Sequence, residues 1–388
     1  MSELDSKEKS VARPAQFSKG LEGVIASETR LSLVDGENSR LIYRGIPIHE
    51  LADNSTFEET VFLLWDGRLP GGAELKAFKS KLASQRKITP AILKVLKSLP
   101  VKAHPMGVLR TMVSMLGLFD KDADRIDLEN MKRKAIHLTA MFPTVIAAFC
   151  RLRQKKSPIA PNPRLSHAAN FLYMMNGKRP EPEMEKALDA YLILLADHGL
   201  NASTFAARVT VSTQSDMYSA ITSAVGTLKG DLHGSANQRA MEMILKIGEP
   251  EKAEGYVRDL LAQKKKVMGF GHRVYKKEDP RATAFRAIAQ RLLERTGQKK
   301  WMEISNRIEK VMLEEKKIPC NVDFFSASVL YVLGFPVDFF TTVFAASRVA
   351  GWTAHVIEQL TDNRLIRPAA SYIGENDQHY LPIEKRQS

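Results

Sequence analysis

Apolar residues recur at helical spacing through most of this chain, and Gly and Pro mark where each run stops. That punctuation constrains the fold more than any other feature, because it leaves little room for a sheet. After Asp279-Pro280, residues Phe285, Ile288, Ala289 and Leu292 fall at i, i+3, i+4 and i+7 before Gly297, which predicts a helix with Asp279 as N-cap and Pro280 as its first residue. Ser55 with Glu58 fits a capping box, and Gly67 followed by Pro70 fits a stop. Met184 to Ala196, Asp216 to Leu228 and Ser235 to Ile247 read the same way. Strand signals are confined to one predicted hairpin, Leu31 to Val34 with Leu41 to Arg44 around Asp35-Gly36. The class is mainly α.

Composition narrows the setting. At about 100 to 200 residues per domain, a chain of 388 residues allows two domains. Hydrophobic residues make up 44% and charged residues 26%, which excludes disordered, collagenous and coiled-coil classes. The apolar runs at Met141 to Cys150 and Val329 to Val337 fall short of the roughly 18 residues a bilayer span needs, and Pro interrupts them, so no membrane is expected. Residues 1–12 hold acidic groups and no apolar leader, which predicts a short mobile tail rather than an export signal. Cys150 and Cys320 are far apart and lack His or Cys neighbours at ligand spacing, so neither a disulfide framework nor a metal site is expected. The expected location is the cytoplasm. Lys plus Arg is 57 against 44 for Asp plus Glu, a net charge of +13 that suits nucleic acid or a small polyanion without choosing between them. There is no internal repeat and no Gly/Ser linker.

Ionisable residues of chemical interest sit in three short segments at helix boundaries. In Gly230-Asp231-Leu232-His233-Gly234-Ser235-Ala236-Asn237, His233 lies at a helix N-terminus, where the macrodipole favours neutral imidazole able to donate to an oxyanion. A ring that only packs or caps the turn is the other reading. In the second segment, Gly269 and Gly271 precede His272 and then Asp279-Pro280-Arg281, but the dinucleotide-binding pattern is incomplete. Arg281 in a first helical turn opposes the dipole unless it clamps an anion, or pairs with Asp279 or Glu278. In the third, Asp323 enters a helix beside Phe324 and Phe325, either as a partly dehydrated base or as an N-cap. Arg348 lies within an apolar run with no acid one turn away, so its partner is remote or is a ligand.

These residues belong to a recognisable pattern. The phrases Asn201-Ala202-Ser203-Thr204-Phe205, Leu232-His233-Gly234, Met268-Gly269-Phe270-Gly271-His272-Arg273-Val274-Tyr275-Lys276, Asp279-Pro280-Arg281, Asn321-Val322-Asp323-Phe324 and Arg348-Val349-Ala350-Gly351-Trp352 occur in an order and spacing that resembles the citrate synthases, in particular the shorter bacterial and archaeal type. The resemblance runs from Gly20 to Arg386. It implies an all-α, two-domain fold and a homodimer, with a large domain from residues 1–224 and 335–388 and a small closing domain from 225–334. It also implies condensation of acetyl-CoA with oxaloacetate, and hydrolysis of citryl-CoA to citrate and CoA.

By the same resemblance, Asp323 is the base on the acetyl methyl, His233 the donor to the enolate oxygen, and His272 the group that polarises the oxaloacetate carbonyl. His198, Arg281, Arg348 and a partner-supplied Arg367 would bind oxaloacetate; Met268, Gly269, Phe270 and Gly271 would line CoA, with Lys266 near its phosphates. No metal, cofactor, nucleic acid or membrane is implied, the CoA thioester being a substrate. Where the family commonly reads Pro-Leu-His-Gly-Gly-Ala-Asn-Glu, Asp231, Ser235 and Gln238 depart from it; Asp231 is expected to raise the His233 pKa, and Gly234 to let a ligand approach the backbone. Asp197-His198-Gly199 and Phe325 also depart from the usual pattern. Two other readings fit the residues: a 2-methylcitrate synthase using propionyl-CoA, and a non-catalytic CoA-binding regulator.

Overall fold

The computed structural model describes residues 17–386, so the tail expected at residues 1–12 lies outside the described residues. Two compact units are present, one from the chain ends, Met1–Glu28 with Arg367–Ser388, and the other Thr29–Ile366. The described part of the first is extended chain with short 3-10 turns at Lys19–Leu21 and Ile383–Lys385, and it exposes Ile25, Ile373 and Tyr380.

Among the described residues, every α-helix lies in the second unit. In chain order they are α1 Ile48–Asn54, α2 Phe57–Asp66, α3 Gly72–Ser84, α4 Pro90–Ser98, α5 Pro105–Leu118, α6 Leu128–Arg153, α7 His167–Asn176 and α8 Pro182–Leu195. They continue as α9 Ala202–Ser212, α10 Met217–Leu228, α11 Ala236–Ile247, α12 Ala253–Ala262, α13 Pro280–Arg295, α14 Lys299–Lys316, α15 Val322–Val332 and α16 Phe340–Thr361.

The core is built around α16, which is apolar on nearly all sides and is enclosed by α2, α6, α8, α9 and α10. Helix α6 is long and apolar enough to cross a membrane by length and composition, yet most of it is buried within this protein. Toward the other end of the unit, α15 packs on α11 and α13, and α12 on α14.

Local signals explain most helix starts. Asp279 caps α13 by accepting the Arg281 N–H, with Pro280 first in the helix, and Phe285, Ile288, Ala289 and Leu292 are its buried face. At α2 the capping box is one residue later than expected: Thr56 accepts the Glu59 N–H and Glu59 reaches back to the Thr56 N–H. Glu58 instead turns into the core and accepts the His167 N–H. Gly67 ends α2 in the left-handed conformation, as expected.

The predicted hairpin is present, shifted by about one residue: β1 Ser32–Asp35 pairs antiparallel with β2 Arg40–Tyr43, and β2 with β3 Ile46–Pro47. Ser32 lies opposite Tyr43 and Asp35 opposite Arg40. The two-residue β3 leads directly into α1.

Candidate active site

His272, Tyr275, Arg281, Arg348 and His233 lie around His198. His198 lies between α8 and α9; its Nε2 shares a hydrogen bond of 3.0 Å with the Tyr275 hydroxyl, and its ring centroid is 5.3 Å from that of His272. Burial holds its pKa well below the ordinary histidine range, and Arg281, Arg348, His272 and His233 push the same way. The ring is therefore neutral.

His272 is fixed by its own loop. The N–H groups of Val274 and Tyr275 both donate to its Nδ1, at 3.0 and 3.1 Å, which leaves the proton of the neutral ring on Nε2. Burial, then Arg281, lowers its pKa to about 4. Its Nε2 lies 3.4 Å from Nη2 of Arg281. Two donors facing each other at that distance are both satisfied when an acceptor oxygen enters between them.

Arg281 is buried, and Asp279 grips it through Nε and Nη2 at 3.0 and 2.9 Å. Burial works against the cation, but the Asp279 charge and hydrogen bonds more than offset it and raise the pKa. The pairing reading of Arg281 is thus realised with Asp279, and the pair leaves the guanidinium facing His272. Arg348, inside α16, has no such carboxylate: its Nε donates to the Leu195 carbonyl at 2.7 Å and its guanidinium lies 4.8 Å from the Phe344 ring centroid. Burial lowers its pKa to about 10, partly countered by Asp197, so it stays cationic at neutral pH.

Asp323 occupies the first turn of α15, whose N-cap is Asn321, so Asp323 itself does not cap the helix. Burial raises its pKa to about 6, against the pull of Arg281 and Arg348. The loop that carries His272 is tied to this helix start. The Asn321 N–H donates to the Gly269 carbonyl, the Gly271 N–H to the Pro319 carbonyl, and Asn321 Nδ2 to the Gly271 carbonyl, at 2.9, 3.0 and 2.9 Å. Gly269, at φ 84°, is required there, because a Cβ would lie 2.9 Å from that of Phe324.

His233 faces the core end of the site. The Ser203 N–H donates to its Nε2 at 3.3 Å and the Ser203 hydroxyl lies 2.8 Å from the same nitrogen, so Nδ1 carries the proton. Ser203 Oγ also accepts from the Trp352 indole at 3.0 Å. Burial, then Arg348, lowers the His233 pKa to about 4. Neutral imidazole was expected, but its cause is burial rather than the helix dipole.

The same loops line two clefts. One, of about 450 Å³, is lined by Asp231, Arg239, Lys246, Tyr256 and Met268 among others. A second, of about 380 Å³, lies beside His272 and carries Arg273, Lys276 and Lys317.

The comparisons with known proteins agree in one direction. Residues 20–369 match the family model described as "Citrate synthase, C-terminal domain". The chain is 48% identical over 369 residues to "Citrate synthase 2" of Bacillus subtilis, an alignment that covers 95% of this chain and 99% of that one. The chain belongs to the citrate synthase family. This is a family of acyltransferases that form a carbon–carbon bond. A "2-methylcitrate synthase" of Mycobacterium tuberculosis is also similar, at 43% identity over 94% of this chain and 92% of the other. Among solved structures, a citrate synthase of Thermoplasma acidophilum, in ternary complex with carboxymethyl coenzyme A and oxaloacetate, superposes with a TM-score of 0.90 at 34% identity, covering 96% of this chain and 100% of that chain.

Within this member of the citrate synthase family, the structure brings His198, His233, His272, Arg281, Asp323 and Arg348 into the unit Thr29–Ile366. Arg367 belongs to the unit of the chain ends and is exposed. Lys266 is exposed, Met268 lines the larger cleft, and Gly269, Phe270 and Gly271 form the loop paired to α15, with Phe270 bridged to Cys320.

Two expectations about the altered family segment are corrected. Asp231 does not raise the His233 pKa: its side chain is largely in solvent and pairs with Arg239 at 3.3 Å. Nor is Gly234 kept open for a ligand, since a Cβ there would fall 2.2 Å from the Leu228 carbonyl oxygen. Sequence reading gave no role to Ser203 or Tyr275, which orient His233 and His198, although both lie in the phrases that carry the resemblance.

Proposed function

We propose that this chain condenses acetyl-CoA with oxaloacetate and hydrolyses the resulting citryl-CoA. The observation that carries this reading is Asp323. It is a carboxylate raised to about 6 by burial, and the two arginines that pull on it, Arg281 and Arg348, are the same ones that help hold His272 and His233 neutral down to about pH 4. A base near working pH, two neutral N–H donors and two arginines that act on all three are the groups that enolisation and carbonyl addition on a dicarboxylate require.

In this mechanism Asp323 takes a proton from the acetyl methyl group while Nδ1–H of His233 donates to the oxygen that gains charge. The enol carbon attacks the oxaloacetate carbonyl, which His272 polarises through Nε2–H; that proton then passes to the new alkoxide. Water attacks the thioester carbonyl of citryl-CoA; the proton held by Asp323 passes to the leaving thiolate, a proton of the water restores Nε2–H of His272, and the products are citrate, free CoA and one proton released to solvent. His198, Arg281 and Arg348 hold the carboxylates of oxaloacetate, with Arg367 supplied by a second copy of the chain in a homodimer. Residues 225–334 act as a closing domain, which joins Asp323 and both histidines around bound substrate.

CoA runs along Met268 to Gly271, and Lys266 meets its phosphates. The side chains supply all the proton transfers and charge stabilisation, so the reaction calls for no metal or redox cofactor, nucleic acid or membrane, and the cytoplasm suits its substrates.

Propionyl-CoA is the alternative acyl donor, favoured by the likeness to a 2-methylcitrate synthase. One methylene is worth about 1 to 3 kcal/mol in a pocket. Mass-spectrometric identification of the products formed from oxaloacetate with each acyl-CoA tests the reading. Citrate as the faster-formed product supports it, and 2-methylcitrate formed faster at equal concentration assigns the alternative.

A further inference from the structure

The two loops that carry His198 and His272 come from the α8–α9 and α12–α13 connections, and one hairpin is hydrogen-bonded to both. At the start of β1, Ser32 Oγ donates to Asp197 Oδ2 at 2.5 Å and accepts the Gly199 N–H at 3.0 Å, flanking His198 on both sides. Beyond the end of β1, the hairpin turn reaches the other loop: the Lys276 N–H donates to the Gly36 carbonyl and the Glu278 N–H to Ser39 Oγ, both at 3.2 Å. The turn is itself stiffened by Asp35, whose carboxylate accepts from N and Nδ2 of Asn38 at 3.1 and 2.8 Å.

Gly36 makes the closest approach. Its φ lies outside the left-handed region, so its backbone accommodates any residue, but a Cβ would fall 2.2 Å from the Val274 carbonyl oxygen and 2.8 Å from the carbonyl carbon. That carbonyl belongs to the same peptide unit as the Tyr275 N–H, which donates to Nδ1 of His272. The side chain of Tyr275 in turn meets His198. Contact at Gly36 therefore acts on the peptide that sets the tautomer and direction of His272, and on the residue that links it to His198.

We propose that the β1–β2 hairpin is the brace that sets the spacing of the two histidine loops, with Gly36 and Ser39 as positioning residues for oxaloacetate. This rests on the reading of His198 and His272 as oxaloacetate-binding groups. A strand holds a nearly fixed length of about 3.3 Å per residue, so anchoring both ends of β1 fixes how far apart the loops sit. Binding energy of oxaloacetate that would otherwise close the loops is then available for holding the substrate.

Isothermal titration of oxaloacetate into the full chain without acyl-CoA, followed by steady-state kinetics, tests this with Gly36→Ala, Ser39→Ala and Glu37→Gln. Gly36→Ala is expected to weaken oxaloacetate binding and raise its KM about tenfold, with kcat at saturation within about threefold of the wild type. Ser39→Ala should move the same way by about threefold, and it decides the question if Gly36→Ala does not fold. Glu37→Gln removes only an exposed pair with Lys276 and should change nothing. Wild-type affinity in both Gly36→Ala and Ser39→Ala would overturn the brace. Failure of the wild type itself to bind oxaloacetate would instead contradict the underlying functional reading.

Discussion

Asp279 holds Arg281 by two parallel hydrogen bonds, and the same carboxylate accepts the N–H of Val322 at 3.1 Å, so one buried anion joins the starts of α13 and α15. Burial works to raise the Asp279 pKa, and the charge and hydrogen bond of Arg281 override it, leaving it below the 3.8 of a free carboxyl. Its contribution to stability is thus present above about 3.8 and is lost as pH falls through the depressed folded value. Asp279→Asn leaves Arg281 buried without its counter-ion and should cost about 3 to 5 kcal/mol, measured by denaturant unfolding at pH 7.

Asp323 has the opposite sign. Its folded pKa of about 6 lies above the free value of 3.8, so the ionised form is the destabilising one, and the native state gains stability as pH falls from 6 toward 3.8. Asp323→Asn should stabilise the fold by roughly 1 to 3 kcal/mol at pH 7 while removing turnover. Unfolding curves of the two proteins at pH 7 check the first half of this pair.

The pH dependence of kcat/KM follows from the same group. The base must be ionised, so activity should fall tenfold per unit as pH drops below about 6. His233 and His272 remain neutral until about pH 4 and place no limb in between. A rate profile from pH 5 to 8, corrected for unfolding, reads this directly.

Ser203 fixes the ring of His233 by its N–H and hydroxyl. Ser203→Ala keeps the N–H and loses the hydroxyl, and it should lower kcat about tenfold with little change in the KM for oxaloacetate. Both constants come from one set of progress curves.

Arg348 is a buried cation with no carboxylate in salt-bridge contact among the described residues, and the proposed function supplies one from oxaloacetate. Oxaloacetate at a hundred times its Kd should stabilise the wild type by about 2.7 kcal/mol. The ligand-induced rise in melting temperature should be lost in Arg348→Gln, while the unliganded protein melts no earlier than the wild type.

Much of the helical order was legible because its signals are local. Asp279-Pro280 with four apolar residues at helical spacing defines α13 without knowledge of what it packs against. The capping box at α2 was misplaced because Ser55 and Thr56, and Glu58 and Glu59, are consecutive pairs, and only the burial of Glu58 against α7 chooses between them. Strand β3 has two residues, one of them Pro, too short for any alternation.

The site divides along the same line. Residue types at Asp323, His233, His272, Arg281 and Arg348 showed which groups to examine, but their states depend on neighbours far along the chain. Asp231 is two residues from His233 in sequence and points to Arg239 instead, while Ser203, thirty residues away, is what orients the ring. What the missing Cβ of Gly234 makes room for is likewise a tertiary fact, the carbonyl of Leu228.

The assignment of Asp323 as the base is tested most directly by free-thiol release from acetyl-CoA in the presence and absence of oxaloacetate, comparing the wild type with a folded Asp323→Asn variant. Release that depends on oxaloacetate and falls at least about a thousandfold in the variant is the expected result. Release that persists in the variant at near wild-type rate, or that never depends on oxaloacetate, would contradict it.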